Sequence, residues 1–189
     1  MNLPKELVEG FVGNAHGNFA RLKELLGQHP ELLNASAPWD ETAIQAATQM
    51  GNVAIIDYLI ERGVQVDIFT AAVLGQRERV QAFVEADPSL VRAVGVHGLP
   101  LLYFPIICGQ REIAEDVLAR GAEVNAGANG VTPLHGAVMF AQAEMVRWLL
   151  EHGADPNPLN YEGKTPLKLA VEGGKADIAA IRRAGGGIE

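Results

Sequence analysis

Gly130-Val131-Thr132-Pro133-Leu134-His135-Gly136-Ala137 can be laid without a gap on Gly163-Lys164-Thr165-Pro166-Leu167-Lys168-Leu169-Ala170, 33 residues further along the chain. Self-similarity at a period of roughly 20 to 50 residues marks stacked units, none of which buries its apolar face alone. The local chemistry of the segment agrees. Thr132 is a natural N-cap, and Pro133 takes the first helical position, where a missing N–H costs nothing. The short helix so started is closed at Ala141. A second helix begins at Ala143, and Met145, Val146, Trp148, Leu149 and Leu150 give it a core-facing stripe. Gly153 ends it in a left-handed cap, and Asp155, Pro156 and Asn157 open the turn to the next unit.

Followed outward in this register, the small residue that closes the first helix of each unit falls at Gly17, Gly51, Gly75, Gly109, Ala141 and Gly174, at intervals of 34, 24, 34, 32 and 33. Four intervals lie within one residue of the period. The second is nine short, about the length of a β-hairpin finger, so a shortened finger is expected between units two and three. Unit two repeats the apolar stripe with Ile55, Ile56, Tyr58, Leu59 and Ile60 before Gly63, and unit four with Ile113, Val117 and Leu118 before Gly121.

These residues make the sequence resemble the ankyrin-repeat family. The match rests on TPLHGA at Thr132 to Ala137 with EHGADPN at Glu151 to Asn157, on TPLKLA at Thr165 to Ala170, and on TAIQAA at Thr42 to Ala47. Unit four departs from the motif with Leu99-Pro100-Leu101-Leu102-Tyr103-Phe104-Pro105, and unit three with Val66-Asp67-Ile68-Phe69-Thr70-Ala71. The resemblance covers nearly the whole chain. It implies an all-α solenoid of about six helix-turn-helix units in a single domain, residues 1–189, with units near 1–37, 38–63, 64–95, 96–127, 128–160 and 161–189. In units one and three His29-Pro30 and Asp87-Pro88 replace the terminating glycine, which predicts an added helical turn. Arg182 and Arg183 stand where unit five has Leu149 and Leu150, and Arg21, Lys23 and Glu24 lie beside Leu22, Leu25 and Leu26 in unit one. The first and last units are therefore expected to be caps, and the array to be complete.

Composition narrows the partners. The 189 residues, 20.2 kDa, suit one domain, and a net charge of −8 with a sequence pI of about 5.1 works against polyphosphate and anionic membranes. With 48% hydrophobic and 20% charged residues the chain can bury a core. The single cysteine, Cys108, excludes an intramolecular disulfide. No run of eighteen apolar residues occurs, and Glu6, Glu9 and Gly10 interrupt the N-terminal segment where a secretory signal needs continuity. A cytoplasmic location is expected.

A search for chemistry returns no catalytic constellation, cofactor motif or metal site. His16, His29, His97, His135 and His152 do not pair at helical ligand spacing. His135 belongs to TPLH, where the resemblance implies a hydrogen-bonding role in holding the turn; His97 lies beside a finger tip. Glu61, Glu85, Glu115, Asp116, Glu151 and Asp177 fall on second helices and read as a solvated face. Gly185-Gly186-Gly187 lacks the strand and helix a phosphate loop needs. Cys108 ends a helix, away from the N-terminal dipole that favours a thiolate.

Ankyrin arrays, by resemblance, bind partners on the concave side made by finger tips and inner helices. The two positions before each closing residue hold Gln49 and Met50, Val73 and Leu74, Ile107 and Cys108, Met139 and Phe140, then Glu172 and Gly173. The central units thus offer an apolar stripe, rimmed by the finger residues Trp39, Glu41, Leu99, Asn129, Val131, Tyr161 and Lys164. The opposing possibility is that neighbouring fingers or Tyr103-Phe104-Pro105 fold over Val73, Leu74 and Ile107 and make them core. The function expected is a non-catalytic module that binds an unknown protein partner, monomeric rather than homo-oligomeric. Self-association through the same stripe is the alternative, and an enzyme has least support.

Overall fold

The structure is a computed structural model that describes residues 3–127 and 130–184, with side chains through Ile181. Among these residues the chain forms twelve α-helices and three short 3₁₀ turns, and strand pairing is confined to the isolated bridges Ser36–Thr42 and Val94–Pro100. The helices come in consecutive pairs. They are α1 (Lys5–Asn14) with α2 (Phe19–Gln28), α3 (Ala43–Gln49) with α4 (Val53–Ile60), α5 (Ile68–Val73) with α6 (Arg77–Ala86), α7 (Tyr103–Ile107) with α8 (Arg111–Ala119), α9 (Pro133–Met139) with α10 (Ala143–Glu151), and α11 (Pro166–Glu172) with α12 (Ala176–Ala184).

Four of the first helices start at a side-chain cap. Thr42 and Thr132 close capping boxes with Gln45 and His135, Thr165 accepts from the Lys168 amide at 3.1 Å, and Asp67 accepts from the Thr70 amide at 2.7 Å. Inside each pair the chain reverses through one left-handed residue: Gly51, Gly75, Gly109 and Gly174 have φ between 62° and 70°, and Ala141 takes 57°. Gly17 is the exception to the register, lying in the turn after the longer α1 without a positive φ. Gly63, Gly121 and Gly153 end second helices at φ 98°, 102° and 84°. Where proline replaces that glycine the helix breaks at a non-helical residue, His29 or Asp87, and a separate 3₁₀ turn follows, Pro30–Leu32 in unit one and Pro88–Arg92 in unit three.

The first helices α1, α3, α5, α7, α9 and α11 stack in chain order, while α6 packs on α8 and α10 on α12. Their buried faces join into one core that runs from Val8 to Ala179. Ile55, Ile56 and Leu59 of α4 and Met145, Val146, Trp148 and Leu149 of α10 are all inside it. Each such side chain contributes about 1.5–3 kcal/mol of burial. Leu22, Leu25 and Leu26 are buried on α2 while Arg21, Lys23 and Glu24 face outward. The side chains of Arg182 and Arg183, and the segment Gly185-Gly186-Gly187, lie outside the described residues.

Three connections between pairs share one closing hydrogen bond: Ala37 N–H to Glu41 O at 2.8 Å, Gly95 N–H to Leu99 O at 2.8 Å, and Asn160 N–H to Lys164 O at 3.1 Å. Asp40, Gly98 and Gly163 occupy the left-handed corner of these fingers. Between α4 and α5 only Val64–Asp67 separates the Gly63 turn from the next helix, and the nine-residue deficit falls here.

Candidate functional site

The finger residues divide by burial. Trp39 is 44% exposed and Tyr161 72%, whereas Val131 and Lys164 are half-buried, and Asn129 lies outside the described residues. Glu41, expected on the rim, is instead 1% exposed. Its carboxylate accepts from Trp39 Nε1 at 2.7 Å and Gln49 Nε2 at 2.6 Å, with His16 Nε2 at 3.7 Å and His97 Nε2 at 3.5 Å. The turn after α1 and the tip of the 94–100 finger thus close over it. Leu99 is likewise buried, its apolar side chain turned into the core behind the Gly95–Gly98 turn. Lys164 Nζ sits between Glu162 at 2.8 Å and Glu172 at 2.9 Å, which holds its ammonium protonated well above the usual lysine range.

The ends of the first helices form two rows with different fates. In the row two residues before the turn, Gln49, Val73 and Ile107 are buried, while Met139, at 48%, and Glu172 are exposed. In the row next to the turn, Met50 is 40% exposed, and Leu74, Cys108 and Phe140 are half-buried. Val73 and Ile107 therefore belong to internal packing and not to an open stripe. The cause is the short connection before α5, which lets unit four reach unit two. A Cβ placed on Gly51 would stand 3.6 Å from Ile107 Cδ1 and 2.9 Å from Cys108 Sγ. Gln49 is fixed by polar contacts, its amide nitrogen also lying 2.8 Å from His16 Nε2.

The titratable groups have structural work. His135 is fully buried; its Nδ1 accepts from the Thr132 amide at 3.2 Å and its Nε2 lies 3.3 Å from Lys164 O, so it fastens the start of α9 to the next finger. Burial pushes the Cys108 thiol up to about 11 and, with Cys108 nearby, the Tyr103 phenol up to about 12, so neither ionises readily. On the second helices, Arg77 forks onto Asp116 at 2.7 and 2.9 Å and holds that carboxyl below the usual range, while Glu61, Glu85, Glu115, Glu151 and Asp177 are exposed. Trp148 is buried on α10, with its ring centroid 4.3 Å from that of His152. Among the described residues no group of three His, Cys, Asp or Glu side chains could hold a metal ion. At the nearest approach to one, the Gln49 amide fills the space between His16 and Glu41. No helix of the described residues is long and apolar enough to cross a membrane.

The row next to the turn leaves apolar surface partly open at Met50, Leu74, Cys108 and Phe140, and Trp39 and Tyr161 are exposed on fingers. The sequence placed Cys108 in that row and Glu41 on the rim, but gave no sign that His16 and His97 gather around Glu41. Register is the signal that found Cys108; the cluster has none, because its members come from three different units.

Helix pairs stacked in chain order, five of them reversed through one left-handed residue, define a helical-repeat protein. The sequence profile described as ankyrin repeats, in three copies, matches residues 68–181, more than half of the chain. The chain belongs to the ankyrin-repeat family. It is similar to an ankyrin repeat-containing protein of Treponema pallidum (strain Nichols), 29% identical over 182 residues, which are 95% of this chain and 52% of that protein. It is also similar to the palmitoyltransferase ZDHHC13 of Homo sapiens, 35% identical over 114 residues, 59% of this chain and 18% of that one. The Neurogenic locus Notch protein of Drosophila melanogaster is 45% identical over 62 residues, 32% of this chain and 2% of that protein. The chain spans about half the length of the first of these relatives and less of the others. Repeats of this family generally mediate protein–protein interactions.

Proposed function

We propose that this protein is a non-catalytic module that binds a partner protein on the concave face, through the row Met50, Leu74, Cys108 and Phe140 with Met139, Trp39 and Tyr161 beside it. The observation that supports this reading most is the split between the two rows at the helix ends. One is sealed into the core across units two to four, while the other leaves apolar surface at equivalent places in units two to five. Large apolar side chains left open in register are characteristic of interaction sites, and exposed Trp and Tyr are the commonest anchors. Val131 and Lys164 complete the rim; Glu41, Gln49, Val73, Leu99 and Ile107 support it from beneath.

The test is a photo-reactive amino acid placed at Met50 and, as control, at Glu115 on the opposite helices. Adducts are expected from position 50 only. The triple variant Met50→Ser, Leu74→Ser, Phe140→Ser should lose the partner so identified while keeping its helical circular dichroism. Undiminished capture by that variant rejects the site. The same open apolar row also favours a second reading, self-association. A molar mass by light scattering that stays monomeric as concentration rises discards it.

A further inference from the structure

The missing finger leaves a cavity. Between the 36–42 finger and the 94–100 finger, where Val64–Asp67 runs directly into α5, lies a space of about 270 Å³. Its apolar surface comes from Phe69 and Phe104, whose ring centroids are 4.9 Å apart at 48°, and from Val94. Gly95 lines it because any Cβ there would stand 2.9 Å from Phe104 Cζ, so only glycine lets the finger backbone lie on the ring edge. Two carboxylates, Asp40 and Asp67, line the same space, and none of the lining residues is basic.

The carboxylates are uncompensated. Asp67 spends one oxygen on the Thr70 amide, and the carboxylate of Asp40 has no hydrogen bond or ion pair among the described residues. Beside them the buried Glu41 has imidazoles, an indole and an amide for neighbours, and no lysine or arginine. On the second helices, by contrast, several carboxylates have a guanidinium: Asp116 and Glu112 share Arg77, Glu115 pairs with Arg111, and Glu144 with Arg147. Two carboxylates without a basic partner thus stand in the vacated slot, beside an aromatic floor.

We infer that this cavity takes the side chain of one arginine presented by the partner protein. A guanidinium matches both features at once. Its flat face lies against a ring, its N–H groups fork onto carboxylates, and it loses less hydration than an ammonium on leaving water. The volume admits one long side chain and not a folded segment. The inference rests on the partner-binding reading above and adds to it the chemistry of one anchor.

The probe is a blocked pentapeptide, acetyl-Ala-Ala-Arg-Ala-Ala-amide, titrated into the full chain by ¹⁵N-correlated NMR, with peptides carrying citrulline or lysine in place of arginine run alongside. The arginine peptide should shift the amides of Val94, Gly95, Val96 and Phe69 saturably, and added salt should weaken it; the citrulline peptide, neutral and of the same shape, should leave them in place. Asp40→Asn and Asp67→Asn should each weaken the arginine peptide about tenfold, the loss of one charge-assisted contact. Both variants should fold, because asparagine also caps a helix and also tolerates a left-handed φ, and unchanged thermal melting verifies it. Equal shifts with citrulline, equal affinity for the lysine peptide, or a double Asp→Asn variant that titrates like the parent overturns the assignment. The Met50, Leu74, Phe140 triple variant should respond to the peptide as the parent does. Undiminished partner capture by that triple therefore removes the broader reading without touching the peptide result, and a silent peptide titration removes only the arginine site.

Discussion

In unit five the first helix is fastened by Thr132 and by His135, which also reaches the next finger at Lys164; in unit three the same task falls to Asp67, and the neighbouring finger is missing. Unit three makes up the difference with its neighbours. Thr70 meets the Thr48 hydroxyl of unit two at 3.1 Å, both side chains buried, and Ile107 and Cys108 of unit four come past it to Gly51. A regular unit therefore owes its shape to its own motif, and an irregular one to the units on either side. Loss of a local support in unit five should be felt through that motif, while unit three should tolerate local change and depend on what lies across its gap.

The largest effect is expected in the core of unit five. Leu134→Ala, at a fully buried position, should cost about 2–5 kcal/mol of unfolding free energy in urea, and Val73→Ala in unit three less, because a smaller side chain leaves a smaller cavity. Next comes Gly136→Ala. Its Cβ would stand 2.6 Å from the Tyr103 ring and 3.0 Å from Ile107, with no flexible end to yield, so about 1–3 kcal/mol should be lost. Gly75→Ala, whose Cβ would meet only the end of Gln110, should cost about 1–2 kcal/mol, from its left-handed φ alone. A larger loss at Gly75 than at Gly136 would break the contrast.

Asp67→Ala should cost about 1 kcal/mol by removing the only side-chain cap on α5, and Asp67→Asn a few tenths at most. Thermal melting resolves the two. The smallest change has the opposite sign. Ala141 holds the left-handed position that glycine holds in units two, three, four and six, so Ala141→Gly should raise stability by about 0.5 kcal/mol, the strain relieved less the added chain entropy. A loss at Ala141 would mean that its methyl group packs more firmly than the backbone objects.

The fold was legible because each motif residue has a job settled within a few positions of chain. Thr132 caps, Pro133 begins, Gly153 ends, and even Ala141 could be placed by register although alanine is no turn residue. The proline turns at Pro30 and Pro88 were legible for the same reason. The site was legible only in part. Whether Val73 or Leu74 faces outward depends on a rotation of one residue at a helix end, decided by how units two and four close around unit three. Glu41 read as a rim residue because charge usually lies outside; its partners His16, Gln49 and His97 come from three units, and nothing near it in sequence announces them.

The two indoles sit in opposite surroundings. Trp39 is open to water on an early finger and tied to Glu41, while Trp148 is sealed in the fifth unit against His152. Their emission should therefore be spectrally separable, red for the first and blue for the second. In a molecule whose units touch chiefly their neighbours, denaturation can begin at one end and spread. Without any added label, the order in which the two colours change would tell which end unravels first, and whether the fingerless unit is where the unravelling pauses.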